Sequence, residues 1–157
     1  MTESLPGTLE TILVVDDMEM VRELVVETLK GAKFQVLQAD SGANALKVAA
    51  DYAGKIDLLL SDVQMPGMTG PDLGEILKKS RPDMHLMFMS GFAGGNLLVL
   101  NYGWAFIEKP FVPVKLLQMI DVVLHTPDKS QGARQYDTRE DIGKSEEGQT
   151  PEPKNGR

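Results

Sequence analysis

The sequence predicts a doubly wound α/β domain built on a five-stranded parallel sheet, and three observations lead there. Five short apolar runs recur along the body of the chain, and segments with helical apolar spacing separate them. The runs are continuously apolar rather than alternating, the pattern of strands buried on both faces. Continuous strands alternating with amphipathic helices build a parallel sheet covered on both sides, and right-handed crossovers leave few ways to connect it.

Each element can be justified in turn. The run Thr11–Val15 (TILVV) reads as the first strand. Met18–Lys30 then carries Val21, Leu24, Val25 and Leu29 at helical spacing. Phe34–Gln38 (FQVLQ) is the second strand. Ser41 is placed to N-cap a helix whose apolar face is Ala45, Leu46, Ala49, Ala50 and Ala53, with Gly54 as its expected stop. Asp57–Ser61 is the third strand. Thr69 opens a helix with Pro71 early in it and Leu73, Ile76 and Leu77 facing inward. Met84–Met89 (MHLMFM) is the fourth strand, and a weak helix is expected near Asn96–Asn101. Trp104–Ile107 is the fifth strand, and Val114–Leu124 the last helix, with Leu116, Leu117, Ile120, Val123 and Leu124 inward.

The chain of 157 residues, 42% hydrophobic, suffices for one domain with a real core. From Pro127 to Arg157 only Ala133, Tyr136 and Ile142 are apolar, so that segment cannot bury enough surface to offset its ordering entropy. The expected organisation is an N-terminal extension at 1–9, a folded domain at 10–126 and a disordered tail at 127–157. A net charge of −7 repels phosphodiester backbones, so no nucleic acid is expected as a partner. With no cysteine in the chain, disulfides, thiolate catalysis and Cys-ligated zinc are excluded, which fits a cytoplasmic setting. The first ten residues lack the basic start and apolar stretch of a signal peptide, and no run is long enough to span a bilayer.

The polar residues at the strand ends carry the chemistry. Strand one ends in Asp16-Asp17, strand three in Asp62, strand four in Ser90, strand five in Glu108-Lys109-Pro110-Phe111. In a parallel sheet these tips share one edge, where the ligands of doubly wound folds bind. Three carboxylates at close quarters relax by taking up protons or a cation. Oxygen donors with room for water and substrate suit Mg²⁺, which makes such a site welcome a phosphoryl group. Asp62, at the centre, is then a nucleophile toward phosphorus, with Lys109 and Ser90 placed to meet the phosphoryl oxygens. Taken singly, each residue also has a local reading: Asp16-Asp17 as helix cap and first-turn acid, Asp62 as the start of the Pro66-Gly67 turn, Ser90 as loop, Lys109 as a solvated charge. Their joint placement on one edge favours the functional reading.

From Thr11 to Leu124 the chain resembles the receiver domain of two-component response regulators, through "ILVVDD", "DLLLSDVQMPGMTG", "LMFMSG" and "FIEKPF", which occur in that order. The wording "DVQMPGMTGPDL" and "MSGF" is most similar to receivers of hybrid sensor kinases. The resemblance implies a flavodoxin-like (βα)5 fold with strand order 2-1-3-4-5. It implies that Asp62 accepts a phosphoryl group from a histidine kinase or a histidine phosphotransfer protein, through catalysis by the receiver itself. Asp16, Asp17, Asp62 and the backbone carbonyl of Gln64 would hold Mg²⁺. Ser90 and Lys109 would contact the phosphoryl group. Phe106 matches the aromatic switch position that responds to Ser90, and Lys109-Pro110 would be a cis peptide.

A monomer or weak dimer without a membrane partner is expected. The segment from Ser90 to Lys109 is about three residues shorter than is common in the family, and Gly94-Gly95 weakens any helix it enters. A phosphatase of the haloacid dehalogenase type would want an acid where Gln64 stands. An FMN module would want hydroxyls and glycine where Asp16-Asp17 stand. The absence of GxxxxGK[ST] removes a P-loop NTPase. The alternative from another class is a receiver-like interaction module that is never phosphorylated.

Overall fold

The computed structural model describes residues 9–91 and 104–125. Within them the chain runs β1 (Thr11–Val15), α1 (Glu19–Gly31), β2 (Gln35–Ala39), α2 (Gly42–Asp51), β3 (Leu58–Asp62), α3 (Gly70–Ser80), β4 (His85–Ser90), β5 (Ala105–Glu108) and α4 (Pro113–His125). The strands form one parallel sheet in the order β2-β1-β3-β4-β5, as expected. The expected helix near 96–101, the Gly94-Gly95 pair, the tail at 127–157 and all but Leu9 of the N-terminal extension lie outside the described residues.

The pleat divides the core. Ile12, Val14, Leu58, Leu60, Met87, Met89 and Ile107 face Val25, Val26 and Leu29 of α1 and Leu116 and Ile120 of α4. On the other face Leu13, Val15 and Leu59 meet Ala45 and Ala49 of α2 and Leu73 and Leu77 of α3. Central strands clad on both sides have no solvent-facing positions, so β1 and β3 are buried at every residue.

Strands β2 to β5 each begin and end one residue later than their apolar runs suggest. Apolar character marks burial, whereas the backbone ladder continues into the polar tip: Asp62 pairs with Met89 and Ser90 with Glu108. Three helix faces also differ from expectation. Leu24 and Ile76 are exposed, because the buried stripes are Val25, Val26 and Leu29 on α1 and Leu73, Gly74 and Leu77 on α3. Ala50 and Ala53 are exposed too. Helix α2 stops at Asp51 rather than at Gly54, with Tyr52 already extended as its C-cap.

The expected caps are present at two helices. Ser41 Oγ accepts the Asn44 N–H at the start of α2. Thr69 and Asp72 form a reciprocal capping box at α3, with Pro71 in the first turn. Gly67 adopts φ +86° in the turn before α3, a conformation that glycine enters without a Cβ penalty. At the far end of the molecule, His125 Nε2 and Glu10 Oε2 are 2.9 Å apart, and Nδ1 is 2.7 Å from Asp121 Oδ1. These two acceptors raise the His125 pKa. Among the described residues no helix is long and apolar enough to cross a membrane.

Candidate functional site

The site lies at the carboxyl edge of the three strands at the middle of the sheet and of β5. Residue Asp16 follows β1 directly, Asp62 is the last residue of β3, Ser90 the last of β4, and Lys109 the first after β5. The sheet therefore delivers residues from four chain segments to one place, each held by the ladder behind it. Lys109 itself is tied in by its backbone, whose N–H donates to the Ser90 carbonyl at 2.8 Å. The peptide between Lys109 and Pro110 is cis.

Carboxylate oxygens of Asp16, Asp17 and Asp62 lie within 4.8 Å of one another. Asp16 is fully buried, Asp62 is 8% exposed and Asp17 is exposed. The ammonium of Lys109 reaches into this cluster, 3.0 Å from Asp16 Oδ2 and 3.4 Å from Asp62 Oδ1. The second oxygen of Asp16, Oδ1, accepts the Met18 N–H at 2.9 Å. The cap reading of Asp16-Asp17 does not hold, since Met18 is the N-cap of α1 and Glu19 its first-turn acid; Asp16 meets only the N–H of the cap residue, while its other oxygen faces the cluster. Burial pushes the Asp62 carboxyl up to about 6; Asp16 and Asp17 push the same way and Lys109 opposes them. Such a group changes charge around pH 6 rather than near 4, and a cation beside it would tip the balance further toward the carboxylate.

The other expected site residues fall on the same edge in different settings. Ser90 is 2% exposed at the tip of β4. Gln64 is exposed, two residues beyond Asp62. Phe106 is half-buried on β5 and packs, with Trp104, against the cluster formed by Val63 and Phe88. Trp104 and Phe88 rings sit 5.1 Å apart and tilted by 44°. Val63, the residue after Asp62, is therefore in the same apolar cluster as Phe88 of β4 and Phe106 of β5.

Two residues that shape the site were not legible as such. A methyl group at Gly70 would collide with the carbonyl oxygen of Asp62 and meet Ser61 Oγ at 3.0 Å. Gly70 N–H donates to the Val63 carbonyl at 2.9 Å, so α3 begins pressed against the tip of β3. The available signal was a glycine directly after a capping threonine, where helix entry alone needs none. Arg22, on α1, donates to the Asp16 carbonyl at 2.9 Å. Its spacing from Asp16 places it one turn into the helix and facing back, which a helical wheel alone does not disclose.

The response regulator receiver domain model matches residues 12–121 of the chain. The sensor kinase CckA of Brucella abortus is 34% identical over 121 residues, 75% of this chain and 13% of that protein. The autoinducer 1 sensor kinase/phosphatase LuxN of Vibrio campbellii is 40% identical over 84 residues, 54% of this chain and 10% of that protein. The chain thus spans a small fraction of the length of both kinases. The crystal structure of the receiver domain from the hybrid histidine kinase CckA superposes with a TM-score of 0.59 at 34% identity, covering 73% of this chain and 99% of that one.

Proposed function

Because this chain belongs to the response regulator receiver domain family, we propose that it is a phosphoacceptor of a two-component phosphorelay, with Asp62 as the residue phosphorylated. The carrying observation is a nearly buried strand-end carboxylate, Asp62, with carboxylate oxygens of Asp16 and Asp17 within 4.8 Å and the Lys109 ammonium at 3.4 Å. In the proposed reaction an Asp62 carboxylate oxygen attacks the phosphorus of a phosphohistidine on a histidine kinase or a histidine phosphotransfer protein. The O–P bond forms as the N–P bond breaks, and the imidazole leaves with that electron pair and takes a proton from solvent. Aspartyl phosphate is the product.

The donor set fits Mg²⁺: all three candidate side chains offer hard carboxylate oxygens, close together and on one rigid edge. Asp16, Asp17 and Asp62 would hold it, together with the backbone carbonyl of Gln64. When bound, Mg²⁺ supplies positive charge to the phosphoryl oxygens. Lys109 orients Asp62 and meets charge developing on the transferred group, and the Ser90 hydroxyl is a donor at the next strand tip. Ser90 and Phe106 then form the switch: the hydroxyl is drawn toward the phosphoryl group, and the ring repacks against the cluster of Val63 and Phe88 that adjoins Asp62. The reading places the protein in the cytoplasm, as a monomer or weak dimer that binds other proteins and no nucleic acid.

The test is intact mass after incubation with acetyl phosphate, and in parallel with a phosphorylated histidine phosphotransfer domain, with and without Mg²⁺. The expected result is gain of one phosphoryl group that requires Mg²⁺ and is lost in Asp62→Asn. A native chain that binds Mg²⁺ yet accepts from neither donor would instead be an interaction module.

A further inference from the structure

Asp16 is gripped through its main chain as well as its carboxylate. Its N–H donates to the Ala39 carbonyl at the tip of β2, a long bond of 3.3 Å. Its carbonyl accepts from Arg22 Nη1 at 2.9 Å. The guanidinium is itself oriented from β2, because Arg22 Nε donates to Gln38 Oε1 at 3.1 Å. A planar fork with two donors engaged on two different elements has little freedom left. The carbonyl it holds belongs to the peptide plane joining Asp16 to Asp17. Fixing the direction of that carbonyl fixes the rotation of the plane, and with it the course of the chain through both acids.

We infer that Arg22 is a positioning residue for the cation site: braced by Gln38, its guanidinium fixes the Asp16–Asp17 peptide and so the direction from which both carboxylates meet a divalent cation. The inference rests on the reading of the acidic cluster as a Mg²⁺ site. It differs in sign from a plain charge effect. A cationic side chain near the cluster repels a dication, so removing Arg22 would tighten Mg²⁺ binding if charge alone mattered. Loss of the brace weakens binding instead, because the carboxylates must be ordered by the ion. A bond that merely staples α1 to β2 would lower the melting temperature and leave affinity unchanged.

The experiment is calorimetric titration of the full chain with Mg²⁺ for the native protein, Arg22→Ala, Arg22→Lys and Gln38→Ala, with melting curves recorded without the ion. Arg22→Ala is expected to bind about tenfold more weakly, the lower end of what outer-sphere partners of metal ligands contribute. Gln38→Ala changes no charge and is expected to weaken binding in the same direction. Arg22→Lys keeps the charge but cannot span both acceptors, so it is expected to fall short of native affinity. Native or tighter affinity in Arg22→Ala overturns the inference; if that variant does not fold, unchanged affinity in Gln38→Ala does so. A native chain that takes up no Mg²⁺ overturns the cation-site reading itself, a result distinct from native binding that the variants share.

Discussion

Lys109 lies closer to Asp16 than to Asp62, at 3.0 Å against 3.4 Å, and its ammonium bridges the two carboxylates. Asp16 is fully buried, and its remaining oxygen has a backbone N–H as partner. The lysine thus supports the metal-free site as well as the phosphoryl group proposed to arrive there. Removing one member of a buried charge pair leaves the other uncompensated, at a cost of about 3 kcal/mol. Lys109→Ala is therefore expected to lose stability of that order without Mg²⁺ and to gain more from added Mg²⁺ than the native chain does. Paired urea denaturations with EDTA and with Mg²⁺ measure this. Equal Mg²⁺ stabilisation of both proteins would remove Lys109 from the charge balance. The variant is also expected to accept phosphoryl groups more slowly.

Asp62 gives a pH-dependent prediction for the metal-free protein. Its folded-state pKa is about 6, against an ordinary value of 3.8. The folded chain therefore holds the proton more tightly than the unfolded chain, and stability falls as pH rises from 3.8 to 6. The full difference corresponds to at most about 3 kcal/mol. Asp62→Asn lacks this titration. It is expected to be more stable than the native chain above pH 6, with the advantage shrinking through the interval and absent below pH 4. Denaturation in EDTA at a series of pH values tests it, and a constant difference across that range would refute the assignment of burial as the cause.

Gly70 sets how closely α3 can approach the site. Its missing Cβ is replaced in space by the Asp62 carbonyl oxygen, and Ser61 Oγ stands beside it. The carbonyl is backbone and cannot swing aside as a side chain does, so Gly70→Ala must move the tip of β3 or the first turn of α3. The expected loss is about 1–3 kcal/mol, typical of overpacking. Because the displaced atom belongs to the proposed nucleophile, slower phosphoryl acceptance is expected at Mg²⁺ concentrations that saturate the variant. Native kinetics in a destabilised Gly70→Ala protein would show that α3 yields instead of β3.

The sheet and the site edge were legible because both rest on strong, local signals. Five apolar runs fix five buried strands, and a parallel ladder then carries Asp16, Asp62, Ser90 and Lys109 to one edge whatever the loops do. Boundaries were less legible, since burial and backbone pairing end at different residues, as at Asp62 and Ser90. Helix faces failed at Leu24 and Ile76, where an apolar residue sits at the margin of a stripe already filled by its neighbours. Contacts made by long side chains to distant backbone were not legible at all. Arg22 on Asp16 and Arg81 on the end of α2 are exposed-looking arginines in the sequence, and only tertiary packing gives them acceptors.

Arg81 carries the last prediction. Helix α2 ends at Asp51 with no glycine at its cap; the Tyr52 N–H reaches the Ala49 carbonyl only at 3.4 Å, and the last carbonyls draw on donors from elsewhere. The guanidinium of Arg81, at the end of α3, supplies them: Nη2 donates to Ala49 and Tyr52 carbonyls at 2.9 and 2.8 Å, and Nη1 to that of Gly54 at 2.9 Å. One side chain thus closes α2 and the turn beyond it, at the sheet edge opposite Asp62. Charge-assisted hydrogen bonds are worth about 1.5–3 kcal/mol, and the carbonyls here are partly solvated, so Arg81→Ala is expected to cost about 2 kcal/mol. Arg81→Lys recovers only a fraction, since a single ammonium cannot reach all three acceptors. Both variants are expected to accept phosphoryl groups at the native rate once folded, because no bond of this clasp touches the acidic cluster. Chemical denaturation with phosphorylation assayed in parallel separates the two effects, and a loss of phosphoryl acceptance without a loss of stability would contradict the division of labour between the two edges of the sheet.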